Sequence, residues 1–475
     1  MKNLLFVTLL PAMLLLGVLS AEAANHHVRA GATGSATGND WTNAYPTLPS
    51  NLTRGDTYYI ATGTYAGRTF NSPASGTSVI TIKGATQAEH GSDIGWSPSM
   101  SVDTRDGGSQ AVWTGTFWFN TSYWVFDGAV HGTLTAAAPW NFTKSAYGFK
   151  IGATTTPAGS RVFEIYNTSA TVTDITLSNM VATSDNATGS GGACAGQTYF
   201  IATNDSTQSV NNLHMWYLFV DNYENTVWGT SPGPTHAGWI FERSISYRGY
   251  SDANCHGEDL NNNYGNILDW AIRYNWFEGR TSGTSTINAG LNGPVGTFYI
   301  YGNVFKDQQA GNGVIACIKG SGTVYVQNNT FINSPIPPDG GPWLGGQASF
   351  CTLSSGEAKN NLLYNMRGNS GDGVRVTESF TAGFDTTSMG GGASQYLASG
   401  NPFTNITSRD ARITSGVAST MPSGTTLTNI AGQTFNVDIL GNVRGADGKW
   451  DRGAIEFGGS LDTNPPSPPT NLRVQ

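Results

Sequence analysis

Ile272-Arg-Tyr-Asn275-Trp-Phe277 decides the fold, because the chain repeats its pattern. Ile300-Tyr-Gly-Asn303-Val-Phe305, Val326-Gln-Asn-Asn329-Thr-Phe331 and Ala358-Lys-Asn-Asn361-Leu-Leu363 follow, with the Asn residues 28, 26 and 32 positions apart. Upstream, Ile240-Phe-Glu-Arg243-Ser-Ile245 fits with Arg in the Asn place, and Thr176-Leu-Ser-Asn179-Met-Val181 is a looser copy. A period of this length marks a stacked repeat architecture. Helical repeats need helix formers, and these segments lack them. Each unit holds two or three short strands with Gly, Asn, Asp or Ser at the corners. That describes an all-β parallel solenoid, one coil per repeat, with coils stacked about 4.8 Å apart. Ile272, Ile300 and Val326 should align inside it. The repeated Asn should form a structural ladder, each side chain bonding the backbone of the next coil. A β-sandwich is the competing all-β fold, but sandwiches do not repeat a strand-plus-corner signature at this period.

Composition narrows the function. The chain has 475 residues, 38% hydrophobic and 11% aromatic, which excludes a disordered protein. Lys+Arg 24 against Asp+Glu 32 gives a net charge of −8, so the basic footprint of a nucleic-acid binder is missing. Lys2, the apolar run Leu4–Leu19 and Ala21-Glu22-Ala23 read as a secretory signal peptide over residues 1–23. The mature chain is then expected to be secreted, or held at the cell surface, with no membrane span. A monomer is expected.

Cys194, Cys255, Cys317 and Cys351 are even in number, without C-x-x-C spacing, so two disulfides are more natural than a zinc site. The strands before each Asn copy, Asp259–Asn261, Ser285–Asn288, Val314–Cys317 and Phe350–Thr352, take equivalent places. Cys317 and Cys351 then fall on consecutive coils and can pair, which leaves Cys194 with Cys255. Four buried thiols are the alternative.

The ends differ from the middle. Trp41-Thr-Asn-Ala44 and Thr47-Leu48 precede Gly55-Asp56-Thr57 and Gly63-Thr64-Tyr65. Near the far end, Asp438-Ile-Leu-Gly441-Asn-Val-Arg444 leads to Asp451-Arg-Gly453-Ala454-Ile-Glu456. This pairing resembles the caps of secreted right-handed parallel β-helix proteins of the pectate-lyase-like superfamily. The resemblance implies a right-handed β-helix with an N-terminal cap and first coil over 24–70, coils over 71–400 and a C-terminal capping segment over 401–460. A Pro-rich tail over 461–475 follows. It also implies a carbohydrate-active protein that binds an acidic polysaccharide or cell-surface glycan and cleaves it by β-elimination.

The densest polar cluster is Asp252-Ala-Asn254-Cys-His256-Gly257-Glu258-Asp259, entering a central strand. Glu258 and Asp259 are candidate Ca²⁺ ligands, since paired carboxylates suit that ion. His256 is a candidate base. If Leu260 faces the core, alternation turns Asp259 to solvent. Lys319 and Arg280 are candidate partners for a substrate carboxylate. His236 and Trp228 are candidate substrate contacts, Trp228 as a stacking platform. In chondroitinase B and alginate-lyase relatives, a Lys and an Arg follow the acids. Here Asn261–Asn263 and Thr286–Ala289 stand in those places, so the match fails there. A hydrolase would need two carboxylates across the scissile bond, and only Cys255-His256-Gly257 echoes the polygalacturonase pattern. His26-His27 carries no metal-ligand spacing beyond itself. The alternative function is a non-catalytic adhesin or matrix solenoid.

Overall fold

The structure, a computed structural model, describes residues 23–152, 161–184, 199–203, 208–229, 235–249, 257–262, 266–281, 285–289, 296–309, 313–316, 320–334, 353–366, 377–386, 392–430 and 432–458. The chain winds as a right-handed parallel β-helix. Each central coil contributes three short strands to three parallel ladders. Around Asn275 these are Trp270–Arg273 in the first ladder, Trp276–Glu278 in the second and Leu260–Asn262 in the third. The first ladder continues through Phe298–Tyr301 and Gly320–Gln327, and the second through Val304–Lys306 and Thr330–Ile332. The third runs from Thr69–Phe70 through Asn225–Gly229, Leu260–Asn262 and Ile287–Ala289 to Ile315–Ala316.

The inward stacks are those the repeat predicts. Ile272, Ile300 and Val326 are in register and buried. Phe277, Phe305 and Phe331 stack face to face with centroids 4.9 Å apart at both steps. Parallel in-register stacking puts like on like, so each apolar repeat position becomes a continuous buried column.

The Asn ladder is present, with its bonds running the other way. Asn303 Nδ2 donates to the Ile272 carbonyl at 2.9 Å, and Asn329 Nδ2 to that of Ile300 at 2.9 Å, one coil earlier. Each Oδ1 accepts the backbone N–H of the previous rung: Asn275 to Asn303 at 2.9 Å, Asn303 to Asn329 at 3.0 Å. Two upstream assignments shift by one residue. Ile245 is opposite Trp276, which places Ser244, not Arg243, in the Asn position. Ser244 Oγ accepts the Leu218 N–H at 3.0 Å and so ends the ladder. One coil further up, Met180 is opposite Leu218, and Asn179 lies beside the position instead.

Arg243 and Asn179 belong to a second column, one residue before the ladder. Asn179, Tyr217, Arg243, Tyr274, Gly302, Asn328 and Asn360 all have positive φ, between 49° and 67°. A left-handed residue makes the sharp corner between the first two ladders, a conformation Asn tolerates and Gly adopts freely.

The closing segment uses that column. Residues 401–457 do more than cover the last coil; they run back along the corner over several coils. Gly453 N–H donates to the Asn360 carbonyl at 2.7 Å, and Asn328 Nδ2 to that of Phe435 at 3.1 Å. Tyr274 Oη donates to the Thr434 carbonyl at 3.1 Å, and Arg243 Nη1 to that of Ile439 at 2.9 Å. Phe435 packs on Tyr299, Tyr301 and Tyr325. A second apolar core thus lies outside the coils, beneath this strap. At the other end, Asn25–Val28 pairs with Thr57–Ile60, and Trp41, Ala44, Leu48 and Leu52 are buried over the first coil.

Candidate functional site

The third ladder carries the candidate site. Its inward positions, Phe163, Ile201, Val227, Leu260, Ile287 and Ile315, are buried in the core. The neighbouring register column reads Trp118, Glu164, Ala202, Trp228, Asn261, Asn288 and Ala316 along the helix axis. At about 4.8 Å per step, five steps from Trp118 to Asn288 span about 24 Å. Trp118 is 40% exposed, where a flat ring is open to stack on a ligand.

Toward Asn261 and Asn288 the column turns polar and closes in, and so does the corner two residues before the inward positions, at Asn225, Glu258 and Ser285. Asn225, Glu258, Asn261, Ser285, Thr286 and Asn288 are all buried. Asn261 Nδ2 donates to Glu258 Oε2 at 2.6 Å, and the Glu258 N–H donates to Asn225 Oδ1 at 3.3 Å. Asn225 Nδ2, Asn261 Oδ1 and Ser285 Oγ have no hydrogen-bond partner among the described residues. Buried polar atoms are normally satisfied. A strip offering an amide donor, an amide acceptor and a hydroxyl suits a ligand rich in hydroxyl groups.

Asp259 does not turn to solvent beside this strip. It is 2% exposed, although Leu260 is also buried. Strand alternation does not apply, because the strand starts at Leu260 and Asp259 stands at the corner before it. Arg280 meets it there. Nη2 donates to Asp259 Oδ1 at 2.8 Å and Nε to Oδ2 at 3.2 Å. Ser246 Oγ donates to the same Oδ1 at 2.6 Å. Arg280 Nη1 also donates to the Gly257 carbonyl at 2.7 Å, and Nη2 to that of Glu224 at 3.2 Å. The guanidinium is wholly enclosed. Gly249 makes the room: a Cβ there would lie 2.4 Å from Nη2. Arg280 is therefore a buried strut in this structure, not a cation presented to a substrate carboxylate. The donor set also does not fit a Ca²⁺ shared by Glu258 and Asp259, since the guanidinium already covers both Asp259 oxygens.

His236 is equally internal. Its side chain is fully buried, and Nδ1 accepts the Val210 N–H at 3.0 Å, so the ring closes a corner instead of meeting a substrate. Burial pushes its pKa down to about 4. This sets a pH dependence. The unfolded chain takes up a proton near the ordinary value of about 6.5, the folded chain only near 4. Between these the unfolded state binds more protons, so stability falls as pH drops through the window. His131, lowered to about 4 by burial, acts in the same direction. We expect His236 to account for a loss of about 2–3 kcal/mol between pH 7 and 4.5. In His236→Gln, which keeps an acceptor for Val210, the urea midpoint should change less over that range. An unchanged acid limb in the variant would refute the assignment.

Trp228 lies in the strand Asn225–Gly229, in register with Asn261. His256, Lys319 and the four cysteines with their two pairings lie outside the described residues. The sequence reading passed over Trp118, Asn225 and Asn288. The alternation Phe117-Trp118-Phe119 was the available signal: two inward Phe flank one outward Trp.

No protein-family model matches the chain, and no curated protein does. Among solved structures it is similar to the pectate lyase Pel9A, at 13% identity and a TM-score of 0.39, covering 91% of this chain and 97% of that one. It is similar to the PL6 family alginate lyase AlyGC at 12% identity and a TM-score of 0.32, covering 79% of this chain and 53% of that one. The catalytic unit of a GH87 alpha-1,3-glucanase from Streptomyces thermodiastaticus matches at 12% identity and a TM-score of 0.30, covering 73% of this chain and 62% of that one. Likeness at this level assigns no residue and no activity.

Proposed function

We propose that the chain binds an extracellular acidic polysaccharide along the third ladder and cleaves it by β-elimination. The observation that carries this reading is the register column from Trp118 to Asn288, with an exposed Trp118 at one end and buried Asn261 and Asn288 toward the other, beside the buried polar corner of Asn225, Glu258 and Ser285. The strip runs along the coil axis, the direction in which an extended polymer can keep one contact per coil. Arg280 and Asp259 stay outside the chemistry, each satisfied by the other. β-Elimination needs a base for the proton beside the uronate carboxyl group and a cation to neutralise that group. His256 and Lys319 are the candidates for these two roles. The alternative is a glycan-binding solenoid without catalysis, and the enclosure of Arg280 and Asp259 is the observation that favours it.

One experiment separates these readings. Purified chain is mixed with pectate, alginate and chondroitin, with Ca²⁺ and with chelator. Ultraviolet absorbance of unsaturated uronate is followed, and retention is measured by affinity electrophoresis in the same polymers. A rise in absorbance that is lost in His256→Ala supports the lyase. Retention without absorbance supports the binding solenoid. In either case Trp118→Ala should weaken retention on the order of tenfold, equivalent to about 1.4 kcal/mol. Folded protein with neither signal on any polymer would sink the proposal.

A further inference from the structure

A second cluster lies at the N-terminal cap, apart from the third ladder. His27, in the strand Asn25–Val28, meets His90, the last residue of the short helix Gln87–His90, and Asp93 just beyond it. One ligand atom from each lies within 4.8 Å of the other two. Asp93 Oδ2 is 2.8 Å from His90 Nδ1 and 3.6 Å from His27 Nε2. The sequence hides this triad, because the two strand-and-helix partners come from distant segments.

The hydrogen bonds fix which atoms are available. His27 Nδ1 lies 2.9 Å from the Gly38 carbonyl, an acceptor, so it carries the proton and leaves Nε2 as a lone pair. His90 is 4% exposed, and its Nε2 has no hydrogen-bond partner among the described residues. The ring lies at 82° to Trp41 and 74° to Tyr59, with Trp96 5.4 Å away. Its Nδ1, 2.8 Å from Asp93 Oδ2, carries the proton by the same rule and donates it there in the metal-free chain. To take a cation the ring need only move that proton to Nε2 and turn the Nδ1 lone pair inward, as metal binding requires of an imidazole ligand. His27 Nε2, His90 Nδ1 and Asp93 Oδ2 are then three converging donor atoms.

The geometry points to a divalent transition-metal site of the zinc type held by His27 Nε2, His90 Nδ1 and Asp93. Two nitrogens and one oxygen are a zinc donor set, and the edge of a tetrahedron with bonds of 2.0–2.1 Å is about 3.3 Å, between the two Asp93 contacts. Asp93 is partly exposed, which leaves a fourth position for water. The Gly38 carbonyl orients His27 as outer partners of metal-bound imidazoles do. Bound there, the ion would staple the first strand to the segment that follows the strand Ile80–Gly84, fixing the cap.

The test uses the full chain, treated with chelator and then freed of it. Zn²⁺ alone is titrated by calorimetry and Co²⁺ by absorption. We expect one equivalent bound, cobalt ligand-field bands without a thiolate charge-transfer band, and a melting temperature raised by a few degrees in Zn²⁺. Asp93→Asn, at the surface, should weaken binding at least tenfold, and His27→Gln likewise. The stoichiometry and spectrum of the unaltered chain decide the matter even if a variant does not fold. No stoichiometric binding, a thiolate band, or affinity unchanged in both folded variants would overturn the proposal.

Discussion

Arg280→Met lowers the stability of the chain by about 3–5 kcal/mol, the cost of leaving one member of a buried ion pair without the other. Asp259 would remain 2% exposed with, among the described residues, only the Ser246 hydroxyl on its carboxylate. The Gly257 and Glu224 carbonyls would each lose a donor as well. Asp259→Leu added to Arg280→Met should recover most of the loss, because two apolar side chains can replace a buried pair at little net cost. Urea unfolding followed by circular dichroism reads both. The experiment also separates a strut from a substrate contact. A cation facing a polysaccharide would weaken retention when removed and leave the unfolding midpoint in place. That result would return Arg280 to the functional site.

Asn329→Ala costs about 2–4 kcal/mol by a different route. Asn329 is fully buried in the middle of its ladder. Its removal strips the acceptor from the Asn303 N–H and a donor from the Ile300 carbonyl. It also frees Asn361 Oδ1 from a 3.2 Å bond with Asn329 Nδ2. Each buried group left unpaired costs about 1–3 kcal/mol, less where a carbonyl keeps another bond. Asn329→Ser should lose less, since Ser244 already holds the equivalent place by accepting from Leu218 and donating to the Glu242 carbonyl. A midpoint shift in Asn329→Ala no larger than in a surface Asn→Ala control would show that the ladder does not bear on stability.

The repeat was legible because every coil answers the same local demand. An inward Ile or Val, a left-handed corner and a buried Asn recur wherever the chain turns from the first ladder to the second. A one-residue error still entered at Ser244 and Met180. There the ladder residue is not Asn, and the eye moves to the polar neighbour at the corner. Asp259 was misplaced for a related reason. Alternation predicts direction along a strand, but the residue before a strand belongs to a corner, whose side chain can turn inward. The strap of residues 401–457 was read as an end cap because its motif is local, whereas its partners, Arg243, Tyr274, Asn328 and Asn360, lie coils apart.

By itself, then, the sequence determined the winding of this protein: strand, left-handed corner and Asn rung follow from short-range preferences repeated at one period. Which polar residues meet, and which face out, was decided only in the tertiary structure. Arg280 finds Asp259, and His27 comes up to His90 and Asp93, because winding brings residues 20 or more positions apart in the chain side by side. A carboxylate in a sequence looks the same whether a buried guanidinium or solvent awaits it. Its surroundings are set by the coils above and below, and no local pattern encodes them.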